Sequence, residues 1–172
     1  MSHFHGRRIP ALSVLVAAGA IVAVVAFGGG ANAATQGGCV LKGTANLTPG
    51  LTATAKPTSY TFSGTFSNCK GTGVTVKSGN VTASGSGSSS CTANTTAGTA
   101  SVTWNTGQTS TISFTTAGKG TVVQVVGTFT GGLFAGSKAK SQLLFYTTTP
   151  QACNTAGGLT KASFEGPSEI GV

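Results

Sequence analysis

The chain carries only two carboxylate side chains, Glu165 and Glu169, and they stand four residues apart near its end. A carboxylate pair is what glycoside hydrolysis uses, one group as acid and the other as nucleophile or base. Gly166 and Pro167 lie between them, so a helix cannot set both on one face, and the segment reads as a loose tail in which rigid chemistry is hard to hold. Ser137-Lys138 is the second candidate, a hydroxyl nucleophile beside an amine base. That chemistry needs a buried lysine of lowered pKa, and this one lies in a Gly-rich stretch two residues from Lys140. Aspartate is absent, and both histidines, His3 and His5, precede an apolar leader. Neither a Ser-His-Asp triad nor a zinc or calcium site can be assembled from what remains. The expectation is a protein that is not an enzyme and holds no cofactor or metal.

Four cysteines complete the reactive inventory: Cys39, Cys69, Cys91 and Cys153. An even number in an exported chain reads as two disulfides, for which three connectivities exist. The preferred pairing is Cys39 with Cys69 and Cys91 with Cys153, closing loops of about 30 and 62 residues, each worth roughly 3 to 4 kcal/mol by chain entropy. A lipid-acceptor role for Cys39 is the alternative; Gln36-Gly37-Gly38 is not the apolar-small sequence such a cysteine follows. Aromatic rings could bind sugars by stacking, and Tyr60, Tyr146 and Trp104 are the candidates. All three fall in phase with apolar strand neighbours, where a core role is the ordinary one. Phe134, flanked by Gly132 and Gly136, reads either as a contact point on a loop tip or as a tip that folds back into the core.

Export itself is read from the first 33 residues. Arg7 and Arg8 precede an apolar run from Ala11 to Phe27, and Ala31-Asn32-Ala33 supplies the small residues of a cleavage site, which together make a secretory signal peptide. Retention as a membrane anchor is the competing reading, because the apolar run approaches a membrane-spanning length. Cleavage leaves 34–172 as a single β-domain. It has eight lysines and two acids, a net charge of +6, with no arginine. Scattered lysines suit strand edges and loops, and without arginine specific nucleic-acid recognition is the weaker option.

The elements are strands throughout. Of the 139 residues after Ala33, 45 are Ser or Thr, while glycine punctuates and helical spacing is missing. The segment around which the chain is organised runs from Thr99 to Phe129. Ala100, Val102 and Trp104 alternate with hydroxyl residues, Asn105-Thr106-Gly107 turns the chain, and Ile112 and Phe114 alternate again. Val122, Val123, Val125, Val126 and Phe129 put apolar groups on both faces, as in a central strand. Tyr60, Phe62 and Phe66 mark another strand. Thr48-Pro49-Gly50 reads as a turn, Lys56-Pro57 as the end of a segment, and Val74 to Val76 as a strand. Ser84 to Ser90 reads as a low-complexity loop, Gln142 to Tyr146 as a late strand, and Leu159 to Phe164 as the last, before a break at Gly166-Pro167. The architecture expected is a disulfide-stapled antiparallel β-sandwich, immunoglobulin-like or jelly-roll-like, of about seven to nine strands with a core of Phe62, Phe66, Val102, Trp104, Ile112, Phe114, Val123 and Val125. A closed β-barrel is the alternative.

The signal peptide, Pro49-Gly50-Leu51, Phe62-Ser63-Gly64-Thr65-Phe66 ending at Cys69, the Gly/Ser stretch ending at Ser90-Cys91, and Val102-Thr103-Trp104 resemble small secreted actinobacterial β-sandwich proteins with no assigned activity. The resemblance implies export and a sandwich and brings no function. On these residues the expected role is that of a non-catalytic secreted or cell-envelope protein, structural or interacting with an extracellular protein or glycan. The alternative is a module binding cell-wall or extracellular glycans. No membrane association is expected once the leader is removed.

Overall fold

The computed structural model describes residues 37–72 and 74–171; the signal-peptide reading falls on residues outside these. Eight strands follow one another: β1 (Gly37–Leu51), β2 (Lys56–Lys70), β3 (Gly79–Ser89), β4 (Ala93–Trp104), β5 (Thr109–Lys119), β6 (Val122–Gly132), β7 (Lys138–Tyr146) and β8 (Leu159–Ile170). A short 3-10 turn at Pro150–Asn154 lies between β7 and β8. Each strand pairs antiparallel with the next, and β8 returns to pair with β1, so the sheet closes into a barrel. The expected β-sandwich is therefore corrected to the closed barrel. Alternation of apolar and hydroxyl residues is the same in both architectures; what separates them is the ladder from Gly37↔Ile170 to Asn46↔Lys161, which joins strands at opposite ends of the sequence.

The interior shows why these strands close on themselves. An eight-stranded barrel has an inside just wide enough for side chains, so large rings fit only where their neighbours are small. Tyr60 on β2 faces Gly85 on β3, Gly85 faces Gly98 on β4, and Gly98 faces Phe114 on β5, which in turn faces Gly127 on β6. Across the seam Gly43 sits between Gly64 and Phe164. A Cβ at Gly98 would lie 2.8 Å from the Tyr60 hydroxyl oxygen and 3.0 Å from the Phe114 ring. Glycine is needed there for space, not for backbone freedom. The outer face is rich in Thr, Ser and Lys, among them exposed Lys42, Thr82, Ser84, Ser101, Thr111, Ser113 and Lys140. A barrel that faces lipid has the reverse pattern.

One end of the barrel is filled. Trp104 stacks on Phe66 with ring centroids 5.6 Å apart and meets the edge of Phe134 at 5.5 Å, while Phe134 also packs against Phe129 at 5.6 Å. The Trp104 indole N–H donates to Ser110 Oγ at 2.8 Å, and Ser110 donates onward to the Leu133 carbonyl. Residues 74–78, read from the sequence as a strand, are instead irregular, yet Val76 is only 1% exposed. Asn105 Oδ1 accepts the backbone N–H groups of Lys77 and Ser78 and ties this loop to the β4–β5 turn. The disulfide Cys39–Cys69 clamps β1 to β2 at the same end.

Several strand limits differ from the sequence expectation. β1 runs on through Thr48-Pro49-Gly50, a cis Thr48–Pro49 peptide included, and the place expected to turn is marked by the end of its ladder to β2 at Thr48↔Ser59 and by a break in its pairing with β8 between Asn46 and Leu51. Proline has no N–H to give the ladder, which interrupts pairing without ending the strand. Lys56-Pro57 opens β2 instead of ending a segment. The Gly/Ser stretch expected to loop is the second half of β3, paired residue by residue with both neighbours. β8 likewise continues through Gly166-Pro167 to Ile170, pairing with β1 along the way, while its ladder to β7 is interrupted between Ser141↔Ser168 and Leu144↔Glu165. The apolar residues of β6 do not mark a strand covered on both sides: Val126 is 50% exposed on the outer face.

Of the expected core, Phe66, Val102, Trp104, Ile112, Phe114 and Val123 are buried, and Phe62 and Val125 are partly buried against them. Both disulfides have the expected pairing.

Candidate functional site

The barrel's other half is not filled. Between the aromatic floor and the opposite end lies a cavity of about 510 Å³, within the roughly 300 to 1,000 Å³ of ordinary small-molecule pockets. Its wall is built by inward-facing residues of all eight strands. Leu47, Phe62, Ile112, Val125, Leu143 and Phe164 are among its apolar lining residues. Small inward residues make the room: Ala45, Ala100, Ala139 and Ala162 occupy wall positions that larger side chains would fill.

Polar side chains also enter the wall, Ser89, Ser90, Thr121 and Thr147 toward the rim and two hydrogen-bonded groups besides. Ser141 donates to Ser168 at 2.8 Å. The larger group spans three strands: Tyr60 on β2, Asn94 and Thr96 on β4, and Thr116 on β5. Thr96 Oγ1 donates to the Tyr60 hydroxyl oxygen at 3.3 Å, Thr96 and Thr116 share a hydrogen bond of 2.7 Å, and Thr116 donates to Asn94 Oδ1 at 2.9 Å. These residues are brought together by register alone, since Thr96 faces Thr116 across β4 and β5 and the glycines Gly85 and Gly98 leave room for the Tyr60 ring. Glu169 is the sole charged residue along the boundary, and it is exposed.

Burial in this apolar wall raises the Tyr60 pKa above 10.0, and the hydrogen bond from Thr96 partly offsets the rise. Because folding raises this pKa, the stability it contributes is complete below about pH 10 and is lost as pH climbs from there through the folded value. With Tyr146→Phe, Tyr60 is the remaining tyrosine of the two, and its ionisation can be followed by near-ultraviolet absorbance. The expected midpoint lies above 10 and moves higher still when Thr96→Val removes the hydrogen-bond donor. A midpoint at or below 10.0 would place the ring in water and contradict its position in the wall.

The rim at this end is formed by the β1–β2, β3–β4, β5–β6 and β7–β8 connections. Cys91 follows β3 and Cys153 lies in the 3-10 turn after β7, so the second disulfide joins connections four strands apart around the barrel, on opposite sides of the rim. Cys91 N–H donates to the Thr52 carbonyl and Gly120 N–H to that of Thr92, linking further rim segments. Gly158, with φ of +66°, brings the β7–β8 connection against Gly50, a conformation and a closeness that a side chain would prevent. Cys91, Cys153, Pro150 and Thr121 all border the cavity.

The four rings singled out by sequence do not share one face. Tyr60 stands in the cavity wall, Trp104 and Phe134 lie in the packed floor at the other end, and Tyr146, 44% exposed on the outer face of β7, borders the cavity only at the end of its strand. Of the two readings of Phe134, a contact point on a loop tip or a tip that folds back into the core, the structure has the second: the ring packs inward with φ of +69°, between Gly132 and Gly136. Glu165 and Glu169 are not in a loose tail but on β8, both exposed, and Glu165 pairs with Lys42 at 3.4 Å. Lys138 is exposed and donates to Thr128 Oγ1 at 2.9 Å. Among the described residues no cluster of three or more metal-ligating side chains occurs. Asn94, Thr96 and Thr116 escaped the sequence reading because hydroxyl and amide residues are common on the outer face of every strand. The one signal for them is parity: Asn94 and Thr96 stand in phase with Ala100, Val102 and Trp104 on β4, whose inward face is apolar in its second half.

Compared with protein-family models, curated proteins and solved structures, the chain matches none.

Proposed function

We propose that this protein is a non-catalytic carrier that holds one small apolar molecule inside its barrel, working outside the cytoplasm. The observation that carries the reading is the cavity itself, about 510 Å³ with a mostly apolar wall beside a solidly packed floor. A chain that needed its barrel only as a scaffold gains stability by filling that space, since empty apolar volume costs packing energy. Two disulfides are in keeping with an oxidising compartment, and the composition supports the absence of catalysis, with no aspartate and with both glutamates on the outer face.

The test is saturable binding of an environment-sensitive apolar dye, followed by its fluorescence. The wild-type chain is expected to bind one dye per barrel, and Ala100→Phe, which puts a ring into the cavity from the β4 wall, is expected to reduce affinity by tenfold or more without lowering the unfolding midpoint. Equal dye binding by both proteins would place the dye elsewhere and remove the proposal.

A second reading, contact with an extracellular or envelope protein, is favoured by a strip on the outer face of β6 and β7. Val122, Val126, Leu144 and Tyr146 are 36% to 53% exposed there, with Val122 opposite Leu144 in the ladder. A glycan platform finds less support, because its candidate rings form no common exposed face: Trp104 and Phe134 pack in the floor, Tyr60 is in the cavity wall and Tyr146 is on the outside of β7.

A further inference from the structure

We infer that the bound molecule is uncharged and carries a hydrogen-bond-accepting oxygen, a carbonyl or ester group, which Tyr60 recognises. The inference rests on the carrier reading and adds the chemical class of its ligand.

The proton inventory of the buried cluster points to it. A hydroxyl has one proton and two lone pairs. Thr96 gives its proton toward Tyr60, and Thr116 has one proton for two acceptors, Thr96 at 2.7 Å and Asn94 Oδ1 at 2.9 Å, of which Thr96 can receive it only as its own proton goes to Tyr60. The Tyr60 oxygen is therefore an acceptor in the cluster, and among the described residues its own O–H meets no acceptor. That proton is a donor held within an apolar wall. Such a donor gains most from an acceptor on whatever fills the cavity, because an unmade hydrogen bond costs most where water is excluded. The cluster also fixes where the ring stands: Gly85 and Gly98 fit it closely, and Thr96 holds its oxygen.

Charge decides between neutral and ionised head groups. Seven of the eight lysines are exposed and Lys56 is half-exposed, and none of them lines the cavity. An ionised carboxylate buried beside Tyr60 would find no cation and would lose its hydration, whereas a neutral carbonyl needs only one donor. The same burial that raises the Tyr60 pKa keeps the phenol protonated and able to donate at neutral pH.

The experiment compares three probes of equal chain length, dodecane, methyl undecanoate and dodecanoate, by displacement of a bound apolar dye at neutral pH. On the wild-type protein methyl undecanoate is expected to bind about fivefold tighter than dodecane, the worth of one neutral hydrogen bond, and dodecanoate more weakly than the ester. Tyr60→Phe, which keeps the ring, is expected to bring the ester down to the alkane and leave dodecane unchanged. Thr96→Val, which frees the Tyr60 oxygen without touching the ring, is expected to lose part of the preference. Equal binding of ester and alkane by the wild type, an ester preference that survives Tyr60→Phe, or tighter binding of dodecanoate than of the ester each overturns the head-group assignment while leaving the carrier standing. Failure of dodecane and ester alike to displace the dye overturns the carrier as well.

Discussion

Trp104→Ala is expected to destabilise the barrel by about 3 to 5 kcal/mol, the range for emptying a buried aromatic site. The indole is 2% exposed and is the centre of the floor, touching both Phe66 and Phe134. Removing it takes away two ring contacts and leaves Ser110 without its donor. Phe134 then loses the packing that holds it at a positive φ, a conformation that costs a residue with a side chain roughly 1 to 3 kcal/mol unless its surroundings enforce it. Trp104→Phe keeps most of the volume and loses the indole hydrogen bond, so it should cost about 1 to 2 kcal/mol. Urea unfolding followed by circular dichroism measures both. A cost below about 1 kcal/mol for the alanine variant would mean that the floor is not packed as described.

Removing the rim disulfide with Cys91→Ser and Cys153→Ser is the second large effect. Its loop of 62 residues corresponds to about 4 kcal/mol of unfolded-chain entropy. The loss should appear as a lower urea midpoint. Dye release should also quicken, because two opposite sides of the rim are no longer fastened to each other. The corresponding change at Cys39 and Cys69, with a loop of 30 residues at the packed end, should lower stability by roughly 3 to 4 kcal/mol and leave the release rate alone. Stopped-flow dilution of dye-loaded protein distinguishes the two. Equal acceleration by both pairs of substitutions would show that release follows global stability and not the rim.

The sequence made the strands legible and their closure obscure, for reasons visible in particular residues. Alternation of Ala100, Val102 and Trp104 with Thr and Ser marks an inside and an outside, and the inside residues are indeed the core. The second half of β3 was lost because its inward positions are Gly85, Gly87 and Ser89, which carry no apolar signal. They are small because Tyr60 and Thr96 need their space, so the very residues that make the candidate site hide the strand that borders it. Pro49 and Pro167 read as breaks, yet both strands continue through them: Pro167 keeps its pairing with β1 where the ladder to β7 is interrupted, and Pro49 lies just past the end of the β2 ladder, in the gap of the β8 ladder that resumes at Leu51. In the same way Val122 and Val126 looked like a buried centre and are an outer strip. The cavity had no sequence signal at all, since a void is what side chains leave out.

Seven of the eight strand pairings join neighbours in sequence, and only the eighth, between β1 and β8, joins segments separated by most of the domain. Neighbouring hairpins can form from local encounters, whereas the β1–β8 seam must wait until a curved sheet of eight strands has brought its two ends together and met the entropy of that long closure. Until that moment the sheet has two free edges and an uncovered apolar concave face, the species most prone to pair with another copy of itself. The rim disulfide would shorten this interval if it formed first, since Cys153 lies about six residues before β8 and Cys91 between β3 and β4 in the middle of the sheet. Oxidation of this pair before closure would hand β8 to its seam as a tethered strand, turning the slowest search in the fold into a short one.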